Sequence, residues 1–236
     1  AHQVVFWDPH ALDLGREDEA GLRHQKILAE GSAASESKER HAAWRTKKAE
    51  AMRVAATPSL RVRTVTETKD DAGATPAGEV AMEKTRAPRE ERPHGKRFGV
   101  LVHAVLATVA LDAGEEDIVA AARVHGRLTG ASEEEIVAVH DVVAAALAHP
   151  LLARARKAER VLRETAVMLR EDDGTILEGV VDLAFLEPKV GWTVVDFKTD
   201  LALGDRQDGY ARQVAAYARA IAAATGAPAK GALLLV

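Results

Sequence analysis

The sequence predicts an α/β protein with a mixed central sheet flanked by helices, and three observations predict it. From Lys96 to Ala155, apolar residues recur at helical spacing in three successive segments. From Glu159 to Thr199 the period changes to that of strands, again in three segments. One amphipathic helical stretch and the apolar run "GALLLV" then follow. Helices, a three-strand meander, one more helix and a last strand are best arranged as a sheet covered by helices.

Residues 1–65 open with "VVFWDPHALDL", a strand-like run broken at Asp8-Pro9, and continue in a helix-compatible stretch rich in Ala, Glu, Lys and Arg. Within it "SKERHAAWRTKKAEAMR" is basic on balance and interrupted by Trp44, a pattern that suits either a helix lying on a phosphate backbone or a solvated helix face. Residues 66–95 are polar, hold three of the eight prolines and lack apolar periodicity, so they read as a flexible linker and a domain boundary. Residues 96–236 form the second domain. Its first helix, "RFGVLVHAVLATVALDA", places Phe98, Leu101, Val102, Val105, Leu106 and Val109 on one stripe. "EEDIVAAARVHGRL" is the second, and "SEEEIVAVHDVVAAALAHPLLARA" the third, opening with Ser132 and Glu135 at capping-box spacing. "ERVLRETAVMLR" and "TILEGVVDLAFLE" are strands joined by the turn "EDDG"; after "PKVG" comes "WTVVDFKT". "GYARQVAAYARAIAAAT" ends at Gly226, a residue suited to a helix C-terminus.

With 236 residues, 47% hydrophobic and 29% charged, the chain can bury a sizeable core and has room for two units. A net charge of −4 leaves any nucleic-acid contact to local basic patches. The absence of cysteine excludes disulfides, thiol catalysis, Fe–S clusters and Cys-bound zinc. No apolar run reaches membrane-spanning length and no signal segment leads the sequence, so no membrane contact and a cytoplasmic location are expected. A start at Ala1 and a stop within an apolar run suggest a piece of something longer.

The chemistry concentrates in "WTVVDFKTD". Strand residues two apart share a face, so Asp196 and Lys198 would lie beside Trp192 and Val194, at a cost in burial that a function would explain. Alternatively the strand ends near Val195 and the rest is a solvated turn. Asp182, in "EGVVDLAF", sits on the preceding strand. Antiparallel pairing can set its carboxylate beside that of Asp196, and two such groups repel unless one protonates or a cation neutralises both. A divalent ion does this, and oxygen donors favour Mg²⁺ or Mn²⁺.

"EGVVDLAF", "VVDFKTD" and "RQVAAY", preceded by His103 in "FGVLVHAVL" and Glu164 in "VLRET", together resemble the RecB/AddA-type nucleases of the PD-(D/E)XK superfamily over residues 96–236. The resemblance implies a restriction-endonuclease-like core and a Mg²⁺-dependent deoxyribonuclease (Mn²⁺ also admissible), acting as an exonuclease on single strands of DNA in double-strand break repair. It implies His103, Asp182, Asp196 and the Phe197 backbone carbonyl as metal ligands. It makes Lys198 the group that orients the attacking water, Glu164 a supporting carboxylate, and Gln213 with Tyr217 the pair lining the DNA side. Replacing Asp196 or Lys198 by Ala is then expected to abolish cleavage and leave the fold largely intact. An upstream helicase motor in the same polypeptide and a second subunit are the implied partners. "VVFWDPHAL" is loosely similar to a stretch upstream of such nucleases, and the lack of a Gly-x-x-x-x-Gly-Lys-(Ser/Thr) loop puts any motor outside these residues. The competing expectations are a non-cleaving DNA-binding module and a partner-docking domain in which the Asp–Lys pair is an ordinary buried salt bridge.

Overall fold

A computed structural model describes residues 31–70, 78–87, 92–200 and 204–236. The chain divides into two compact units, Ala1–Ser59 and Leu60–Val236. In the first, helix α1 spans Gly31–Ala55. Its residues from 35 onward are all exposed, Trp44 included. With no buried stripe, α1 draws on good helix formers and local pairs such as Arg53 with Glu50. The run "VVFWDPHAL" lies outside the described residues.

The second unit holds one mixed sheet. Strand β1 (Val62–Thr64) is followed by a 3₁₀ turn (Val65–Asp70) and β2 (Val80–Lys84). Helices α2 (Lys96–Thr108), α3 (Glu115–Thr129), α4 (Glu133–Leu147) and α5 (Pro150–Ala155) come next. Then β3 (Arg160–Arg170), β4 (Ile176–Glu187) and β5 (Gly191–Lys198) make the meander, and α6 (Gln207–Thr225) leads to β6 (Ala229–Leu235). The sheet runs β1-β4-β5-β6-β2, with β3 also on β4. The meander pairs are antiparallel, whereas β1 on β4, β6 on β5 and β2 on β6 are parallel.

The helices cover both faces. On one, Phe98, Leu101, Val102 and Val105 of α2, with residues of α3 to α5, pack on Leu183, Phe185, Val195, Phe197 and Leu234. On the other, Ala216, Tyr217 and Ile221 of α6 pack on Trp192 and Val194, and Val214 packs on Leu233 and Leu235. The expected mixed sheet flanked by helices is what forms.

Two sequence expectations need correction. The supposed linker over 66–95 is not one throughout: the compact unit starts at Leu60, Val65 is buried, and β2 adds to the sheet beside β6. Three- and five-residue strands carry too little alternation to be seen in sequence; they owe their order to longer partners. Residues 71–77 and 88–91 of that segment lie outside the described set. The third predicted helix is also two, broken where Pro150 opens α5 and His149 Nδ1 accepts the Leu151 N–H at 3.3 Å.

The capping box at α4 is present: Ser132 Oγ accepts the Glu135 N–H at 3.2 Å and Glu135 Oε2 accepts the Ser132 N–H at 2.8 Å. Arg97 pairs with the same carboxylate at 2.9 Å. The Ser132 N–H, then Arg97, hold the Glu135 carboxyl below its ordinary range. A lowered folded value stabilises above the unfolded carboxyl pKa of about 4.3 and is lost as pH falls through the folded value. Glu135→Gln should therefore be less stable than the parent at pH 7 and converge with it in acid, as read by urea midpoints. Ser132→Ala should cost about 1 kcal/mol.

Candidate functional site

Strand β4 carries the site because its edges are unequally covered. β3 pairs along one edge from Ile176 to Leu186. The other edge is shared: β1 takes Ile176–Glu178 and β5 takes Leu183–Glu187, leaving Gly179–Asp182 between them in a fork. Continued by one pair, the β4–β5 register would set Asp182 opposite Asp196. The ladder instead stops at Leu183↔Val195, and the Phe197 N–H donates to Asp182 Oδ2 at 2.8 Å. A side chain thus takes the place of a main-chain acceptor as β5 diverges.

The same row is irregular on β3. Arg163 faces Leu183 and Thr165 faces Val181, so Glu164, opposite Asp182, is left out of the ladder. Its φ is +42°, a conformation that side-chain-bearing residues seldom adopt and that costs on the order of 1 kcal/mol. Both strands change faces here. Val181 packs on the α6 side but Leu183 on the α2 side; Leu162 packs on the α6 side, as do Val167 and Leu169. Arg163 secures the kink by donating to the Ala107 and Val109 carbonyls at the end of α2.

Helix α2 also carries His103, whose Nδ1 lies 3.4 Å from Asp182 Oδ1 and whose ring stands edge-on to Phe197. One donor atom each from His103, Glu164 and Asp182 falls within 4.8 Å of the others. Opposite ligands of an octahedral Mg²⁺, each about 2.1 Å from the ion, are roughly 4.2 Å apart, so small side-chain adjustments bring these three to one ion. Two carboxylates and an imidazole suit a hard or borderline dication. The electrostatics agree: burial and then Asp182 push the Glu164 carboxyl up, and His103, which burial would lower, is carried up by its contact with Asp182.

β5 continues through Lys198, so the strand does not end near Val195. Asp196 is 3% exposed, and Lys198 Nζ lies 2.5 Å from its Oδ2. Burial pushes the Asp196 carboxyl up against the pull of Lys198; Lys198, which burial would lower, is held up by Asp196. Asp196 therefore adjoins the three converged donors in the same cross-strand row but is engaged by lysine. At Phe197 the group that meets the site is the N–H.

Gln213 and Tyr217 come together, the amide Nε2 donating to the phenol oxygen at 3.2 Å. Both are buried, so as they stand neither offers a surface to a DNA strand. Tyr217 instead fills the fork: a Cβ at Gly179 would stand 2.7 Å from its ring, so glycine is what lets it in. Sequence reasoning missed Tyr210, whose ring has Lys198 Nζ at 5.0 Å and Lys69 Nζ at 4.7 Å. Its place three residues before Gln213 on one helix face is the signal available. Lys69 was hidden in the supposed linker.

A family model described as the PD-(D/E)XK nuclease superfamily matches residues 79–236, beginning ahead of residue 96 and taking in β2. No curated protein matches the chain.

Proposed function

Because the chain belongs to the PD-(D/E)XK nuclease superfamily, we propose that its second unit hydrolyses phosphodiester bonds of single-stranded DNA with Mg²⁺ or Mn²⁺, as an exonuclease of the RecB/AddA type. The observation that carries this reading is the convergence of His103, Glu164 and Asp182 at the fork. These three would hold the ion, with Asp196 completing the set from the next strand. A bound dication supplies a more acidic water and neutralises charge growing on the phosphate. Lys198, paired with Asp196, acts as a positive charge that orients water and phosphate. Glu164, which burial and Asp182 raise in the absence of an ion, would give up that proton preference to the dication and share its charge with Asp182. Buried Gln213 and Tyr217 support the floor under Asp182 and position it.

The helicase-nuclease setting in double-strand break repair, with a motor in the same polypeptide and a second subunit, rests on sequence likeness alone. The test of the core reading pairs two measurements. Melting with and without Mn²⁺ or Mg²⁺ should give an ion-dependent rise in Tm. An end-labelled single-stranded oligonucleotide should be degraded only with the ion present. A rise in Tm without cleavage leaves a non-cleaving DNA-binding module; neither effect refutes the metal site.

A further inference from the structure

Helix α1 carries its charges on two separate sides. At about 3.6 residues per turn, Lys38, His41, Trp44, Arg45 and Lys48 fall within about 120° of its circumference, and no carboxylate of the helix shares that arc. Glu36, Glu39 and Glu50 fall within about 60° on the opposite side. A helix that only has to stay wet intersperses opposite charges three or four residues apart, as Arg53 and Glu50 are; the face from Lys38 to Lys48 is built without such pairs. Its positive charge is also local, because the chain as a whole is at −4.

An indole stands among these cations. Trp44 is 55% exposed, although large apolar side chains are ordinarily covered. The His41 ring stacks on it with centroids 5.8 Å apart, and Lys48 Nζ lies 5.0 Å from its ring centroid. The helix therefore sets the orientation of the ring from within and still leaves much of it open. An open aromatic ring flanked by cations is what an unpaired strand uses: a base stacks on the ring while phosphates on either side meet lysine and arginine. A bilayer surface would ask for a continuous apolar face, and on this side of α1 only Trp44 and Met52 are large and apolar.

We propose that this face of α1, with Lys38, Arg45 and Lys48 set round Trp44, is a binding site for single-stranded nucleic acid. Its contacts lie in the first unit and need neither an ion nor the residues of the fork, so it stands or falls apart from the nuclease reading.

The test is binding of a fluorescent single-stranded oligonucleotide to the full chain by anisotropy, in EDTA, across a range of KCl concentrations. Trp44→Ala should weaken binding about 5-fold or more and leave the slope of log K against log salt unchanged, since it removes a stacking platform and no charge. Lys38→Ala and Arg45→Ala should each weaken binding about 2- to 5-fold and make that slope shallower by about 0.7, the value for one phosphate of a single strand. Arg45→Lys should keep the parent slope, and Trp44→Phe part of the affinity. Alanine is the best helix former, so α1 persists in these variants and their Tm should match the parent's. Unchanged affinity in Trp44→Ala together with unchanged slopes in both charge variants overturns the site. A fall in Tm without loss of affinity also overturns it and assigns the face to a contact within the chain. Displacement of the oligonucleotide by polyglutamate as readily as by unlabelled strand overturns the choice of nucleic acid and makes the face a site for an acidic protein. Binding that behaves as expected in a protein that fails to cleave with Mg²⁺ or Mn²⁺ overturns the nuclease reading and leaves the α1 site standing.

Discussion

Asp182→Asn is expected to abolish ion-dependent cleavage, by a factor of about 10³ or more, and to remove the ion-dependent rise in Tm. A dication at a phosphoryl site contributes several kcal/mol of transition-state stabilisation, and about 1.4 kcal/mol is tenfold in rate. Asp182 is the residue to change because it meets His103 and the Phe197 N–H at once and shares the ladder gap with Glu164. Asparagine keeps an oxygen to accept that N–H while losing the charge, so Tm without ion should barely move. An Asn variant that cleaves at the parent rate would refute Asp182 as a ligand.

Lys198→Ala should abolish cleavage and also destabilise the fold, by about 3–5 kcal/mol at neutral pH, because it leaves the Asp196 carboxylate buried without its partner. That is a fall in Tm of about 6–20 °C for a unit of this size. This differs from the sequence expectation of a largely intact fold, which took no account of how deeply Asp196 lies. The pH dependence has a definite sign. Burial already raises the Asp196 carboxyl, and loss of Lys198 raises it further. A carboxyl whose folded value exceeds the unfolded one, about 3.9, loses stability as pH rises from the unfolded to the folded value. The variant should therefore recover stability relative to the parent as pH is lowered from neutral toward the unfolded carboxyl value. Asp196→Asn combined with Lys198→Met should recover stability without recovering cleavage. Equal Tm for Lys198→Ala and the parent at pH 8 would contradict the buried pair.

What was legible follows the length of the pattern. The apolar stripe of α2, the hairpin of β3 and β4, and the capping box each span enough residues to declare themselves, and the Asp182/Asp196 opposition follows from the meander once its register is guessed. The fork does not. It depends on β1, three residues long, stopping at Glu178 while β5 begins at Leu183 on the same edge of β4. The face change at Glu164 was equally hidden, since Leu162 and Val167 are apolar on either side of it and a propensity scale gives no warning of a positive φ. Gln213 and Tyr217 were found by their spacing, but their depth was not: spacing reports a shared helix face and says nothing of whether that face meets solvent or sheet.

The position of β6 between β5 and β2 has a bearing on how the chain reaches this state. Val80 must find Gly231, and Trp192 must find Ala229, so the sheet's interior waits for residues synthesised well after both of β6's neighbours. Parallel partners so far apart in sequence give a high contact order and slow folding. Until residues 229–235 emerge, β5 and β2 present unsatisfied edges, which makes nascent chains of this protein candidates for chaperone binding and its refolding yield sensitive to concentration.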